Sequence, residues 1–139
     1  MRYPLLKNYS EGAKLFPIIK HINQDKINTF GVITGSTGAV HVDPEYCKNS
    51  TFKTTLAHGF LTMAYVSEMM EDNFGLDWIF SGEIEVRFIG AARPGDSVIV
   101  SGTINEIIDQ GDKQRIICET QIVNQNDNKI LIGTAIITK

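Results

Sequence analysis

His41 and the pair His58-Gly59 are the residues of this 139-residue chain whose types and surroundings could carry chemistry. His41 lies in the stretch Thr34-Gly35-Ser36-Thr37-Gly38-Ala39-Val40-His41-Val42, just before Asp43-Pro44. An imidazole there could act as a general base on a water within hydrogen-bond reach. Gly59 stands at the head of an apolar helical segment. A glycine at a helix start lets a substrate oxygen come close to the backbone, where free N–H groups favour developing negative charge. A thioester carbonyl turning into an enolate is one group that such a site stabilises. Each feature also has a plainer reading, a locally packed histidine and a glycine that lets a helix sit close to a sheet. His21 takes the plainer reading, and His58 is expected to orient its loop rather than carry a proton.

The elements that must position these residues change character halfway along the chain. Phe16 to Ile22 reads as a short strand, and Asn23 can cap a helix from Gln24 to about Ile33 with Ile27, Phe30 and Ile33 on one face. Thr34 to Val42 is expected to be irregular. Asp43-Pro44 is a helix start, with Asp at the cap and Pro in the first turn. Leu56 to Phe74 reads as one helix, apolar on nearly all sides and therefore buried, with Gly75 at its end. From Ser81 the pattern alternates, with Ile84, Val86 and Phe88 opposite Glu83, Glu85 and Arg87. Turns at Arg93-Pro94-Gly95-Asp96, Gln110-Gly111-Asp112 and Asn124 to Asn128 separate the strands that follow. One buried helix and consecutive strands predict an α+β architecture, an antiparallel sheet wrapped around a long central helix. The open sheet edge predicts a homodimer.

Composition fits one soluble domain over residues 1–139. Hydrophobic residues make up 42% and charged residues 21%, with a net charge of -3, which excludes the basic footprint of a nucleic-acid binder. Cys47 and Cys118 are too few for a disulfide framework and read as reduced, packed side chains. No secretory leader and no run near the roughly 20 apolar residues of a membrane span is visible. These features predict a cytoplasmic protein with no membrane partner and no metal site.

Thr34 to Tyr46 together with Ala57-His58-Gly59 resembles the MaoC-like, R-specific enoyl-CoA hydratase family. There a Ser-Gly-Asp-x-Asn-Pro-x-His-x-Asp-Pro motif precedes an Ala-His-Gly helix start. Val86-Arg87-Phe88 through Pro94-Gly95-Asp96 also looks like that family's strand and turn. The resemblance spans about residues 10 to 138 and implies a dimeric hotdog domain. In that family an Asp and a His five residues apart activate the water that adds to a trans-2-enoyl thioester, while a glycine N–H polarises the carbonyl. His41 and Gly59 occupy the matching His and Gly positions. Ser36 stands where the Asp belongs, Gly38 where the Asn belongs and Ala39 where the Pro belongs. A serine cannot serve as a carboxylate base, so Ser36 is left to position water.

The implied activity is a hydratase or dehydratase acting on a CoA or acyl-carrier-protein thioester. Its site would use His41 as acid/base with Ser36 and Gly59, and Gly35, Thr37, Ala57 and His58 would contact substrate. The only CoA or phosphopantetheine would be the substrate's own, with no further cofactor. No replacement acid is evident: Asp43 suits a helix cap, Glu68 lies too far along the helix, and Ala64 fills the position where related dehydratases carry one. A weakly active or inactive thioester-binding protein and an acyl-CoA thioesterase are the alternatives. Met63, Met69, Met70, Phe74 and Trp78 are candidates for the floor of an acyl pocket, and Arg93 and Lys53 for contacts to CoA phosphates.

Overall fold

The computed structural model describes residues 5–7 and 9–139. Met1 to Pro4, part of the segment read as carrying no leader, lie outside them. The first strand, β1 (Ile18–His21), is followed by α1 (Gln24–Thr34). Asn23 caps α1 as expected, its side chain accepting from the Lys26 N–H at 2.9 Å. The buried face differs from expectation, because Ile27 and Gly31 point inward while Ile33 is 78% exposed. Gly35, at φ 76°, ends the helix in the left-handed conformation that glycine adopts most freely.

Two four-residue helices follow, α2 (Ala39–Val42) and α3 (Pro44–Cys47). The first occupies the last four residues of the segment read as irregular, whose residues 35–38 lie outside any helix or strand. The second starts as Asp43-Pro44 predicts, with Asp43 Oδ1 accepting from the Tyr46 N–H at 3.1 Å. The long helix α4 (Gly59–Phe74) begins three residues later than its apolar pattern. The Leu56 and Ala57 N–H groups are drawn away to the Val40 and Ala92 carbonyls, at 3.0 and 2.8 Å. Gly75, at φ 59°, separates α4 from an unexpected short helix, α5 (Leu76–Ser81).

Strands β2 (Glu83–Phe88), β3 (Ser97–Asp109), β4 (Gln114–Asn124) and β5 (Lys129–Thr138) complete one antiparallel sheet in the order β1-β3-β4-β5-β2. The last three strands are consecutive neighbours, as read from the sequence. β2 instead pairs with β5, Val86 opposite Gly133, and β1 pairs with β3, Ile18 opposite Val100. Alternation turns Val98, Val100, Ile104, Ile116, Cys118, Ile122, Leu131, Ala135 and Ile137 to one fully buried face. That face covers Val66, Met69 and Met70 of α4, which are equally buried. Burial of each such branched side chain contributes roughly 1.5–3 kcal/mol, so the helix is fixed by its apolar faces. Its N-terminal end is left at the margin of the core. Among the described residues no helix is long and apolar enough to cross a membrane.

Candidate active site

Four short segments meet at the N-terminal end of α4. Leu56 links two of them: its N–H donates to Val40 O, and its own carbonyl accepts from His41 Nδ1 at 2.8 Å. A carbonyl can only accept, so the bond assigns the proton to Nδ1 and leaves the lone pair of His41 on Nε2. Gln24 of α1 holds the same residue by its backbone, Nε2 donating to His41 O at 2.8 Å. The half-buried His41 therefore has a fixed main chain, one fixed ring nitrogen and one nitrogen free for chemistry.

His58 lies directly behind it. The two imidazole rings stack with centroids 3.9 Å apart and planes 22° from parallel. His58 is only 4% exposed, and its Nε2 donates to the backbone carbonyl of Ser36 at 2.7 Å. Gly31 makes room for this contact, since a Cβ there would stand 2.8 Å from Ser36 O. The Ser36 side chain itself is on an exposed loop, as is Thr37. The sequence motif is thus assembled in space, with Ser36, His41 and His58 joined by one hydrogen bond and one ring stack. Gly35 has a separate duty as the cap of α1.

Gly59 is the first residue of α4, immediately after His58. The Leu61 and Thr62 N–H groups return to His58 O, and the Gly59 and Phe60 N–H groups have no acceptor among the described residues. These groups form the positive end of a 16-residue helix. Gly59 also borders a cavity of about 380 Å³, with Ala57, Thr62, Phe88, Ala92 and Ile130 among its walls. The Phe88 ring lies so close that a Cβ on Gly59 would be 3.0 Å from two of its carbons. The glycine thus serves close packing and an open helix end together. Thr62, 2% exposed, donates its hydroxyl to Gly59 O at 2.6 Å and fixes that first turn.

The cavity walls differ from the residues read as a pocket floor. Met69, Met70, Phe74 and Trp78 are buried in the core between α4, α5 and the sheet and do not line this cavity, nor does Met63. Apolar character alone could not separate core from cavity on a helix that is buried nearly all round. Phe88, grouped by alternation with the inner face of β2, is 48% exposed at the cavity rim. No sequence signal identified Leu56 O as the partner that orients His41. A larger concavity, about 1000 Å³, lies across the sheet beside Glu85, Arg87, Glu119 and Thr134. It contains neither His41 nor Gly59 and has a mixed charge lining; Gly59 and Ala57 line the smaller cavity, whose walls do not include His41.

The carboxylates fall as their sequence context indicates. Asp43 caps α3, and Glu68 is paired with Lys20 of β1 at 2.6 Å. Ala64 is exposed on α4 and no acid replaces it. Lys53, at φ 60°, and Arg93 are both exposed, Lys53 following the cavity-lining Phe52 in the chain.

The MaoC-like domain family model matches residues 10–126, and the chain belongs to that family. It is 31% identical over 94 residues to the 3-hydroxyacyl-thioester dehydratase Z of Mycobacterium tuberculosis, covering 65% of this chain and 62% of that protein. It is 26% identical to the (R)-specific enoyl-CoA hydratase of Rhodospirillum rubrum, over 66% and 63% of the two chains. The matched segment therefore spans less than two thirds of these relatives. Among solved structures, an (R)-hydratase from A. caviae superimposes with a TM-score of 0.81 at 18% identity, covering 94% of this chain and 97% of that one. An R-hydratase from Pseudomonas aeruginosa gives 0.79 at 22% identity, covering 93% and 81%. At these identities the likeness shows the fold, the hotdog arrangement of a sheet around a central helix.

Proposed function

We propose that this MaoC-like domain hydrates enoyl thioesters, or dehydrates the corresponding 3-hydroxyacyl thioesters, with His41 as its only acid/base. The observation that carries this reading is the geometry of His41. Its Nδ1–H is committed to Leu56 O, its Nε2 has no hydrogen-bond partner among the described residues, and its ring lies against His58, the residue before α4.

In the hydration direction the Gly59 N–H donates to the thioester carbonyl and stabilises negative charge as the enolate forms. His41 Nε2 removes one proton from a water while the water oxygen bonds to C3 of the acyl group. The resulting imidazolium returns that proton to C2 on the same face, so one water is added in the syn sense and the base is regenerated. The Ser36 hydroxyl positions the water. A single base that performs both transfers replaces the two-residue arrangement that the family motif implies. The CoA or phosphopantetheine belongs to the substrate, and no other cofactor enters the cycle. Gly35, Thr37 and Ala57 stand in the proposal as neighbours of the thioester arm, whereas His58 is buried behind His41.

Two copies of the chain would complete the site. β1 has four residues, and β2 has a partner on one side only among the described residues. Exposed Phe52, Phe88 and Ile89 border the cavity and, with exposed Phe60, offer apolar area to a second copy.

The test is incubation with crotonyl-CoA followed by mass spectrometry, in parallel with His41→Ala. The expected product is the intact thioester plus one water, with the rate lowered about 10²- to 10⁴-fold in the variant. Release of free CoA would identify a thioesterase instead. An unchanged substrate that still binds would favour the second reading, a thioester-binding protein without turnover. Loss of the family Asp, Asn and Pro at Ser36, Gly38 and Ala39 is the observation behind that alternative.

A further inference from the structure

We infer that His58 is a positioning residue whose ring face sets the plane of the His41 imidazole, and so the direction of its Nε2. The inference deepens the proposed reaction and rests on the reading that His41 Nε2 is the reacting atom.

A hydrogen bond at one ring nitrogen does not fix an imidazole. The bond from His41 Nδ1 to Leu56 O leaves the ring free to pivot about that contact. The second constraint comes from the His58 ring, stacked at 3.9 Å with the planes 22° from parallel. His58 is in turn held from behind and at its edge. Phe30 of α1 packs on it with centroids 4.9 Å apart, and its Nε2–H is anchored on Ser36 O at 2.7 Å. A rigid platform is thus supplied by α1 and the Ser36 loop, and His41 lies flat on it.

The chemistry of the slot argues against mere filling. His58 Nδ1 is buried and has no hydrogen-bond partner among the described residues. An unsatisfied polar atom in the interior is unfavourable, and a phenylalanine or leucine would fill the space without one. A histidine meets both requirements here, offering one N–H to Ser36 O and a flat face to His41. Gly31 is part of the same construction, since any side chain there would collide with Ser36 O.

The two contributions separate by substitution. In His58→Gln the side-chain amide can still reach Ser36 O, but the flat ring is lost. In His58→Phe the ring remains and the donor is lost. We expect His58→Gln to lower kcat about 10- to 100-fold, as small misplacements of a catalytic group do, with KM within about threefold. His58→Phe is expected to keep kcat within about threefold. The mobility of the His41 ring, read by ¹⁵N relaxation of the imidazole, is expected to be low in the native protein and in His58→Phe, and raised in His58→Gln. That reading needs no turnover, so it tests the inference even if the proposed reaction is not the activity. A folded His58→Gln protein with native kcat and native His41 ring mobility would overturn it, as would equal losses in the two variants. Failure of His58→Gln to fold, alone or together with His58→Phe, would make the residue a structural part and overturn the inference as well.

Discussion

The end of the molecule that carries His41 and the sheet behind it are held together in different ways. In the sheet, three strands of 10 to 13 residues are zipped along almost their whole length, with one register shift in each ladder, and their inner faces share one apolar core. Any one contact there is supported by several others. Around His41, helices of four residues are joined through single hydrogen bonds, from Leu56, Gln24 and Ser36, and through one ring stack. The contrast teaches that stability and chemistry can be disturbed almost independently in this chain.

The largest separation is expected for Ile122, which is fully buried near the C-terminal end of β4. Ile122→Ala should lower the unfolding free energy by about 2–5 kcal/mol, measured by urea titration. Crotonyl-CoA turnover at a temperature where the variant stays folded should change by less than about threefold. A loss of turnover comparable to that of His41→Ala would break the distinction between the two regions.

Ser36→Asp probes the opposite case. Ser36 is exposed on its loop, so the substitution should alter stability by no more than about 0.5 kcal/mol. If the loop places its side chain near the water, a carboxylate there should raise kcat about tenfold or more. Unaltered steady-state kinetics in Ser36→Asp would mean that the position no longer addresses the reaction.

The smallest effect uses ionisable groups inside the core. Burial pushes the Cys118 thiol of β4 up to about 12 from the ordinary 9.0. Between those values the unfolded chain releases a proton that the folded chain keeps, so stability is lost as pH rises. Tyr65 is also raised, by burial and then by the charge of Glu68, and adds to the loss above 10.0. Urea unfolding should give a free energy roughly 1 kcal/mol lower near pH 10 than near pH 8 from the thiol alone. The decrease should shrink in Cys118→Ala. An equal decrease in that variant would locate the alkaline sensitivity elsewhere.

The sheet was far more legible in the sequence than the site. Alternation of Val98, Val100 and Ile104, broken by Gly111 and the Asn124 turn, directly states strand and face, because a strand's period is two. Caps such as Asn23 and Asp43 were readable because they satisfy backbone N–H groups a few residues away. The order of the sheet was not readable, since the chain passes through Gly90 to Asp96 between β2 and β3 without pairing them. Helices α2 and α5 are too short for a periodic signal. Ile33 faces outward because Gly31, not the apolar residue after it, is the point where α1 admits Ser36 O and His58. At the site, His41 and Gly59 were visible by motif. The ring stack joins residues far apart in the chain, and no local pattern encodes it.

The order β1-β3-β4-β5-β2 also has a consequence for the growing chain. The described site segments precede β3, β4 and β5, the strands that cover α4. A ribosome therefore delivers the half that carries His41 and Gly59 before the half that can bury its apolar helix. Until β5 has been synthesised, β2 lacks the strand it pairs with and Val66, Met69 and Met70 lack their cover. The nascent chain must be kept from aggregating over that interval, and the site can be assembled only after β5 has been added.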